Sequence, residues 1–348
     1  MRTAYFTAPR KIEILEESDP GTPGEGEVLV RINRLGVCGS DVHYYLEGRI
    51  GDQLLTYPAS LGHECAGTVV AVGSGVGHLA PGIRVAIDPA ISCGSCDQCR
   101  RGRKHTCRRL RFMGAPGEAP GAAAELRILP AENCVPIPDN LTLEEAVLAE
   151  PLSIAIHAVR LAGVAPGMRV GVIGCGPIGL GVIAVLRQVG VGTIYASELL
   201  EYRRQRALAL GCDRVFDPRS EDLIHEVLRE ESTGVDIVFE CSGDPEMIDV
   251  AQALLTPGGT LVIVGITPQP RVNFDIHRMR RAELTFRNVR RQVDCMGPAL
   301  MMLAQGRVPS QLFLTHRLPF GRIGEAFELV AHYQDGVIKA IVDLDHIQ

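Results

Sequence analysis

The pattern of apolar and polar positions changes character near residue 150. Before it, apolar residues come in short β-branched runs. Glu27-Val-Leu-Val-Arg-Ile-Asn33, Thr68-Val-Val-Ala-Val72 and Arg84-Val-Ala-Ile87 read as strands. Turn clusters such as Asp19-Pro-Gly-Thr-Pro-Gly24 separate them. This predicts an antiparallel β domain, built as a partly open barrel. After Pro151 strands alternate with helices. Strands are expected at 170–173, 193–196, 236–239 and 260–264, and helices at 178–189, 201–210 and 245–255. That alternation predicts an α/β fold, a parallel sheet wound on both sides. From about Val289 a last segment carries helices over 297–305 and 322–333 and ends in the strand-like Lys339-Ala-Ile-Val-Asp343. No internal repeat is visible. The Gly- and Ala-rich stretch 114–124 predicts a flexible loop.

Length and charge narrow the class. A chain of 348 residues fits about two domains of roughly 150 residues each. The net charge of -6 argues against a general nucleic-acid binder. No apolar run approaches the ~18 residues of a membrane span. Met1-Arg-Thr-Ala-Tyr-Phe6 offers no apolar signal core, which points to the cytoplasm. In that reducing compartment clustered cysteines read as metal ligands rather than disulfides. Cys65, Cys134, Cys175, Cys212, Cys241 and Cys295 are scattered among apolar residues and read as small buried hydrophobes.

Cys93-Gly-Ser-Cys96-Asp-Gln-Cys99, then seven residues, then Cys107, has the spacing of a tetrathiolate zinc site in a lobe of about residues 90–110. A closed four-cysteine site leaves no position open for a substrate, so it is structural and the reactive chemistry lies elsewhere.

Gly174-Cys-Gly176-Pro177-Ile178-Gly179 follows a strand and opens a helix, the setting of a dinucleotide fingerprint. Gly174 permits the tight turn, Gly176 admits a pyrophosphate to the backbone, and Gly179 lets helix and strand pack closely. The helix N-terminus offers its free N–H groups to phosphate. About 20 residues on stands Glu198, placed to accept hydrogen bonds from ribose hydroxyls and to repel a 2′-phosphate, which favours NAD over NADP. The plainer alternative makes Glu198 a cap of the helix beginning near Leu200. Arg203 and Arg204 could stack on adenine, or reach a 2′-phosphate if Glu198 turned away.

A reactive zinc wants N, S and O ligands with one position open. Cys38, in Gly36-Val-Cys-Gly-Ser-Asp41, and His63, in Gly62-His-Glu-Cys-Ala-Gly67, supply two of these ligands. Either Glu64 or Glu150 supplies the third. Taken singly, His63 beside Glu64 reads equally as an ion pair, and Glu150 before Pro151 as a surface-loop residue.

Gly62-His63-Glu64-x-x-Gly67, then Gly73 and Val76, resembles the zinc signature of the medium-chain dehydrogenase/reductase superfamily. The four-cysteine lobe and Gly174–Gly179 fall in that family's order, so the resemblance spans essentially the whole chain. Gly36-Val-Cys-Gly-Ser-Asp-Val-His-Tyr44, Gly48-Arg-Ile-Gly51, Glu150-Pro-Leu-Ser-Ile-Ala-Ile-His157 and Phe286-Arg287 resemble its polyol branch, the sorbitol and xylitol dehydrogenases. There a glutamate replaces the cysteine that ordinary alcohol dehydrogenases carry at the third ligand position.

The resemblance implies a GroES-like β-barrel catalytic domain over 1–153, a Rossmann NAD-binding domain over 154–288, and a return to the catalytic domain over 289–348. It also implies two zinc ions per chain, one catalytic and one structural, a polyol substrate, and a homodimer or homotetramer. Cys38, His63 and Glu64 would hold the catalytic zinc, with Glu150 bound directly or through water. Ser40 and His43 would lie on the proton path, and Tyr44, Phe112, Glu150 and Arg287 would line the substrate pocket. Asn288 departs from the tyrosine that animal sorbitol enzymes carry there. Arg287 has a second reading as a structural ion-pair partner of Glu150.

Two other functions compete. A related dehydrogenase acting on threonine, a sugar acid or another secondary alcohol would want an extra cation, for which Arg49 is a candidate. A zinc-ribbon nucleic-acid module would rest on Arg100-Arg-Gly-Arg-Lys-His105 and Arg108-Arg109, against the acidic net charge.

Overall fold

The computed structural model describes residues 1–346. The chain divides into two compact units. One comprises Met1–Glu150 together with the chain from Met296 onward, and the other is Pro151–Cys295.

The first unit is built around a seven-stranded sheet. Its central strand, Glu27–Gly36, pairs antiparallel with Glu64–Val72, with Leu126–Pro130 and with Lys339–Asp343. Val28, Val30 and Ile32 face inward and Arg31 outward, the period-2 alternation of a sheet with one buried face. Arg84–Ile87 and Cys134–Pro136 extend one side. On the other, Leu314–Pro319 pairs parallel with Lys339–Asp343, so the sheet is not antiparallel throughout. A smaller sheet joins Arg2–Ala8 to Lys11–Glu16 and Ala59–Ser60. The shared core includes Phe6, Val28, Val30, Ile32, Val69, Ile87, Phe320 and Phe327.

The second unit holds six parallel strands. Their order across the sheet is Arg214–Phe216, Thr193–Ser197, Arg169–Ile173, Val235–Glu240, Leu255–Ile263 and Thr285–Asn288. In chain order this is 3-2-1-4-5-6, the doubly wound dinucleotide arrangement. Val170 through Ile173 are all buried, as a parallel strand covered on both faces requires. The order reverses between Arg169–Ile173 and Val235–Glu240, and ligands bind beyond the carboxyl ends of strands at such a point.

The stretch 114–124 is not a free loop. Ala122 and Ala123 donate to the carbonyls of Gly62 and Leu61 at 2.7 and 2.9 Å, and Ala123 accepts from Ala4 at 2.8 Å. A side chain at Gly121 would sit 2.4 Å from the Leu61 carbonyl carbon. Small residues here allow a close backbone approach and a packed strap, which composition alone reads as flexibility.

Candidate metal and dinucleotide sites

In the cysteine lobe a helical turn, Asp97–Arg100, and a 3-10 turn, Lys104–Thr106, bring four sulfurs together. Cys93 and Cys99 Sγ lie 4.0 Å apart, Cys96 and Cys99 3.5 Å, and Cys96 and Cys107 3.8 Å. Zinc–sulfur bonds of about 2.3 Å in a tetrahedron put neighbouring sulfurs about 3.8 Å apart. A disulfide would need about 2.05 Å. Backbone N–H groups of Cys93 and Arg109 both donate to Cys107 Sγ at 3.3 Å. The Ser95 backbone N–H pulls the Cys93 thiol down to about 5, whereas burial and the neighbouring sulfurs push Cys99 up to about 11. Four adjacent sulfurs cannot all carry charge unless a cation joins them, and the donor set fits zinc. Arg108 pairs with Asp97 at 3.0 Å inside the lobe, so part of the basic run is absorbed there.

The second cluster forms where the central sheet meets a helix. Cys38 caps the helix Gly39–Glu47, and Glu64 opens the strand Glu64–Val72, opposite Gly36. Donor atoms of Cys38, His63 and Glu64 all lie within 4.8 Å of one another. Among the described residues that group does not extend to Glu150. Ser40 Oγ donates to Cys38 Sγ at 3.3 Å, and the Phe112 ring packs 5.1 Å from that of His63.

His63 and Glu64 are not each other's partners. His63 Nδ1 sits 3.3 Å from Asp41 Oδ1, while Lys339 Nζ holds Glu64 Oε2 at 2.6 Å and Oε1 at 2.8 Å. Burial disfavours a charged imidazole, yet the negative charges of Asp41 and Cys38 raise His63 well above its ordinary value. The other oxygen of Asp41 is buried without a hydrogen-bond partner. A thiol, an imidazole and a carboxylate with donor atoms this close, beside an unsatisfied Asp41 oxygen, give the S, N and O donor set that a zinc ion takes.

Glu150 is no surface residue. It lies in the first turn of the helix Ala149–Ala162, 6% exposed. Burial raises its carboxyl to about 7, with Glu64 and Asp88 pushing the same way and His63 and Lys339 opposing. His43 and Tyr44 lie on the helix after Cys38, and the Tyr44 hydroxyl donates to Gln53 Oε1 at 3.1 Å. Arg49 is exposed, just past that helix. Arg287 and Asn288 belong to the other unit, exposed on its outermost strand.

In that unit Gly174 turns the chain at φ +87°, and a Cβ there would meet the Ser242 nitrogen at 2.8 Å. A Cβ on Gly179 would stand 1.9 Å from the Gly174 oxygen. Among the described residues a Cβ on Gly176 would meet only Arg203 Nη1, at 3.8 Å, which leaves room at the start of the helix Pro177–Val189 where a pyrophosphate would pass. Glu198 follows the strand Thr193–Ser197. Its Oε2 accepts from the Cys175 N–H at 2.8 Å and its Oε1 from the Leu200 N–H at 2.9 Å. The cap alternative is therefore partly realised. Each carboxylate oxygen keeps a further lone pair for a ribose hydroxyl. Arg203 stands 4.0 Å from Glu198, and Arg204 Nη1 donates to the Glu198 and Leu199 carbonyls and pairs with Asp217. These residues fit a dinucleotide.

The pattern reading missed Asp41, Gln53, Lys339 and Glu240. Glu240, at the carboxyl end of its strand, accepts from the Ser242 and Gly243 N–H groups at 2.7 and 3.0 Å and shapes the turn facing Gly174. Lys339 had a readable signal: a lysine opening the otherwise apolar run Ala340-Ile-Val342. The buried Cys65, Cys134, Cys175 and Cys212 have thiols pushed upward mainly by burial, as inert core cysteines do. No described helix is long and apolar enough to cross a membrane.

Residues 24–139 match the family described as "Alcohol dehydrogenase GroES-like domain", and residues 177–304 match "Zinc-binding dehydrogenase". A sorbitol dehydrogenase of Bacillus subtilis is 32% identical over 343 residues, 98% of this chain and 97% of that protein. An L-idonate 5-dehydrogenase of Vitis vinifera is 35% identical over 315 residues, 88% of this chain and 86% of that protein. A zinc-binding dehydrogenase of Sinorhizobium meliloti 1021, solved bound to NADP, is similar with a TM-score of 0.90 and 29% identity, covering 99% of each chain.

Proposed function

This chain belongs to the zinc-dependent medium-chain dehydrogenase/reductase superfamily, in its polyol dehydrogenase branch, and from that membership we propose that it oxidises a secondary alcohol of a polyol to a ketose with NAD as acceptor. One observation carries the reading. The cluster with Cys38 and His63 is completed by a carboxylate, Glu64, with a second buried carboxyl, Glu150, in its field, rather than by a second thiolate.

Cys38, His63 and Glu64 would hold the catalytic zinc, and Cys93, Cys96, Cys99 and Cys107 the structural one. Bound zinc supplies a Lewis acid that acidifies a hydroxyl, and the bound dinucleotide a hydride acceptor. Ser40, hydrogen-bonded to Cys38 Sγ, would accept the substrate's hydroxyl proton as it gives up its own toward the half-buried His43, so that it acts as a relay. Asp41 fixes the His63 ring through Nδ1, which leaves Nε2 for the metal. Phe112 packs against that ring and keeps water from one side. Tyr44 and Glu150 offer hydroxyl partners suited to a neutral polyol. Gly174, Gly176, Pro177, Ile178 and Gly179 would receive the pyrophosphate, Glu198 the ribose and Arg203 the adenine side. Glu198 favours NAD by repelling a 2′-phosphate. The reading includes a homodimer or homotetramer in the cytoplasm, where reducing conditions suit a chain whose described cysteines form no disulfide.

The test is a panel of sugar alcohols, sugar acids, threonine and simple secondary alcohols, each with NAD and with NADP, read at the NADH absorbance band. Fastest turnover on a sugar alcohol with NAD is expected. Faster turnover of a sugar acid such as idonate, lost on replacing Arg49, would move the substrate to the acids.

A further inference from the structure

Lys339 opens a strand whose five residues are all buried, and its side chain is 2% exposed. A lysine at such depth is rare and needs partners. Its Nζ donates to Glu64 Oε2 at 2.6 Å, to Glu64 Oε1 at 2.8 Å and to the Val37 carbonyl at 3.2 Å. Three donors meet three acceptors, and all three acceptors border the Cys38–His63–Glu64 cluster. The ammonium also feels the charges of Cys38 and Glu150.

A buried ion pair is by itself weak evidence of a role in stability. Ala340, Ile341 and Val342 fill the same strand with apolar side chains, and a buried pair replaced by well-packed apolar groups is often neutral or stabilising. The arrangement makes sense as tuning of the metal. Each Glu64 oxygen spends one lone pair on Lys339 and keeps one. Cys38 thiolate and Glu64 carboxylate bring two negative charges, and Lys339 cancels one of them.

We propose that Lys339 is a positioning residue that holds Glu64 as a charge-shared, weakened zinc ligand, so that bound metal keeps more of its positive charge. The inference rests on the reading that Cys38, His63 and Glu64 hold the zinc. Its consequence is a trade: looser metal retention in exchange for stronger polarisation of the substrate hydroxyl. Removing the ammonium removes a like charge from beside a divalent cation, and an unshared carboxylate grips harder.

The experiment compares zinc-loaded wild type with Lys339→Arg, Lys339→Gln and Lys339→Met. Three quantities are read: the rate at which a chelator takes the more labile zinc, turnover, and the visible spectrum after cobalt(II) replaces that zinc. Lys339→Gln and Lys339→Met should release the labile zinc at least ~10-fold more slowly. Turnover should fall and the cobalt bands should shift, while Lys339→Arg stays near wild type in all three. Glutamine keeps hydrogen-bond donors without the charge, so where Lys339→Met does not fold the Gln–Arg comparison decides. Release at an unchanged or faster rate from folded Lys339→Gln overturns the proposal. So does a Lys339→Arg protein that behaves like Lys339→Gln, and so does failure of both neutral variants to fold while the Arg variant folds. Cys38→Ala separates the two levels. If it keeps two zinc ions, the underlying ligand reading fails. If it keeps one while Lys339→Gln releases zinc at the wild-type rate, only the role of Lys339 fails.

Discussion

Replacing Glu150 by glutamine, in protein stripped of its labile zinc, is expected to stabilise the first unit at neutral and alkaline pH. The carboxyl is raised from 4.5 to about 7, chiefly by burial. The folded chain therefore holds this proton more tightly than the unfolded one. Stability from that difference is complete below about pH 4.5 and is lost as pH rises to about 7, above which the fold carries a buried anion. A rise of about 2.5 units at 1.36 kcal/mol each amounts to ~3 kcal/mol. Glutamine keeps the shape without the charge. The two proteins should thus differ little from this cause near pH 5 and by ~3 kcal/mol at pH 8. For a unit of roughly 200 residues, at about 2.1 cal/mol/K of unfolding entropy per residue, that is a gain of about 7 °C in Tm. Thermal melts from pH 5 to 8.5 in chelator, with the four-cysteine zinc retained, measure it. Curves that coincide at pH 8, or a less stable variant, would show that Glu150 does not carry the burial cost assigned here. Restoring zinc should shrink the gap, because a cation nearby stabilises the carboxylate it had been costly to charge.

Cys96→Ser should lower the melting temperature and release one zinc, while turnover per folded molecule holds; lost turnover at an unchanged melting temperature would mean that the lobe is not structural. Glu198→Ala should raise KM for NAD roughly 10- to 100-fold, the loss expected for hydrogen bonds to a charged group, and shift preference toward NADP. Initial rates with both cofactors test this, and a wild type that uses NADP at least as well as NAD would refute the role of Glu198.

Much of the fold was legible because its signals are local. Arg84–Ile87 and Lys339–Asp343 appear at the predicted positions, and the strands and helices around Gly174–Gly179 fall within a few residues of their expected bounds. Strand Thr285–Asn288 is too short and polar to show a period, and helix Leu223–Glu230, although Leu223, Ile224, Val227 and Leu228 fall on one face, spans only about two turns in a charge-rich stretch. Spacing and resemblance pointed to the residues that gather in the two candidate metal clusters. Their surroundings were not legible in this way, because the partners come from far along the chain. Lys339 lies 275 residues from Glu64, and nothing in either neighbourhood names the other. The packed strap at 114–124 was hidden for a related reason: its order comes from backbone contacts with Leu61 and Gly62, which composition does not record.

The two candidate metal clusters differ in when their surroundings are completed during synthesis. The lobe's four sulfurs fall within a span of fifteen residues, Cys93 to Cys107, and can close around metal as soon as that stretch leaves the ribosome. The other cluster gains its lysine late. Its Cys38 segment is tied to Lys339, 302 positions downstream of Val37, and at about 5–20 residues per second that strand follows roughly 15 to 60 s later. In the interval Cys38, His63 and Glu64 exist without the strand that fastens them, while the whole of Pro151–Cys295 is made and can fold as a contiguous unit. Chain order thus separates the donor atoms from their tuning partner: Cys38, His63 and Glu64 all emerge early, and Lys339 joins Glu64 only after Pro151–Cys295 has emerged.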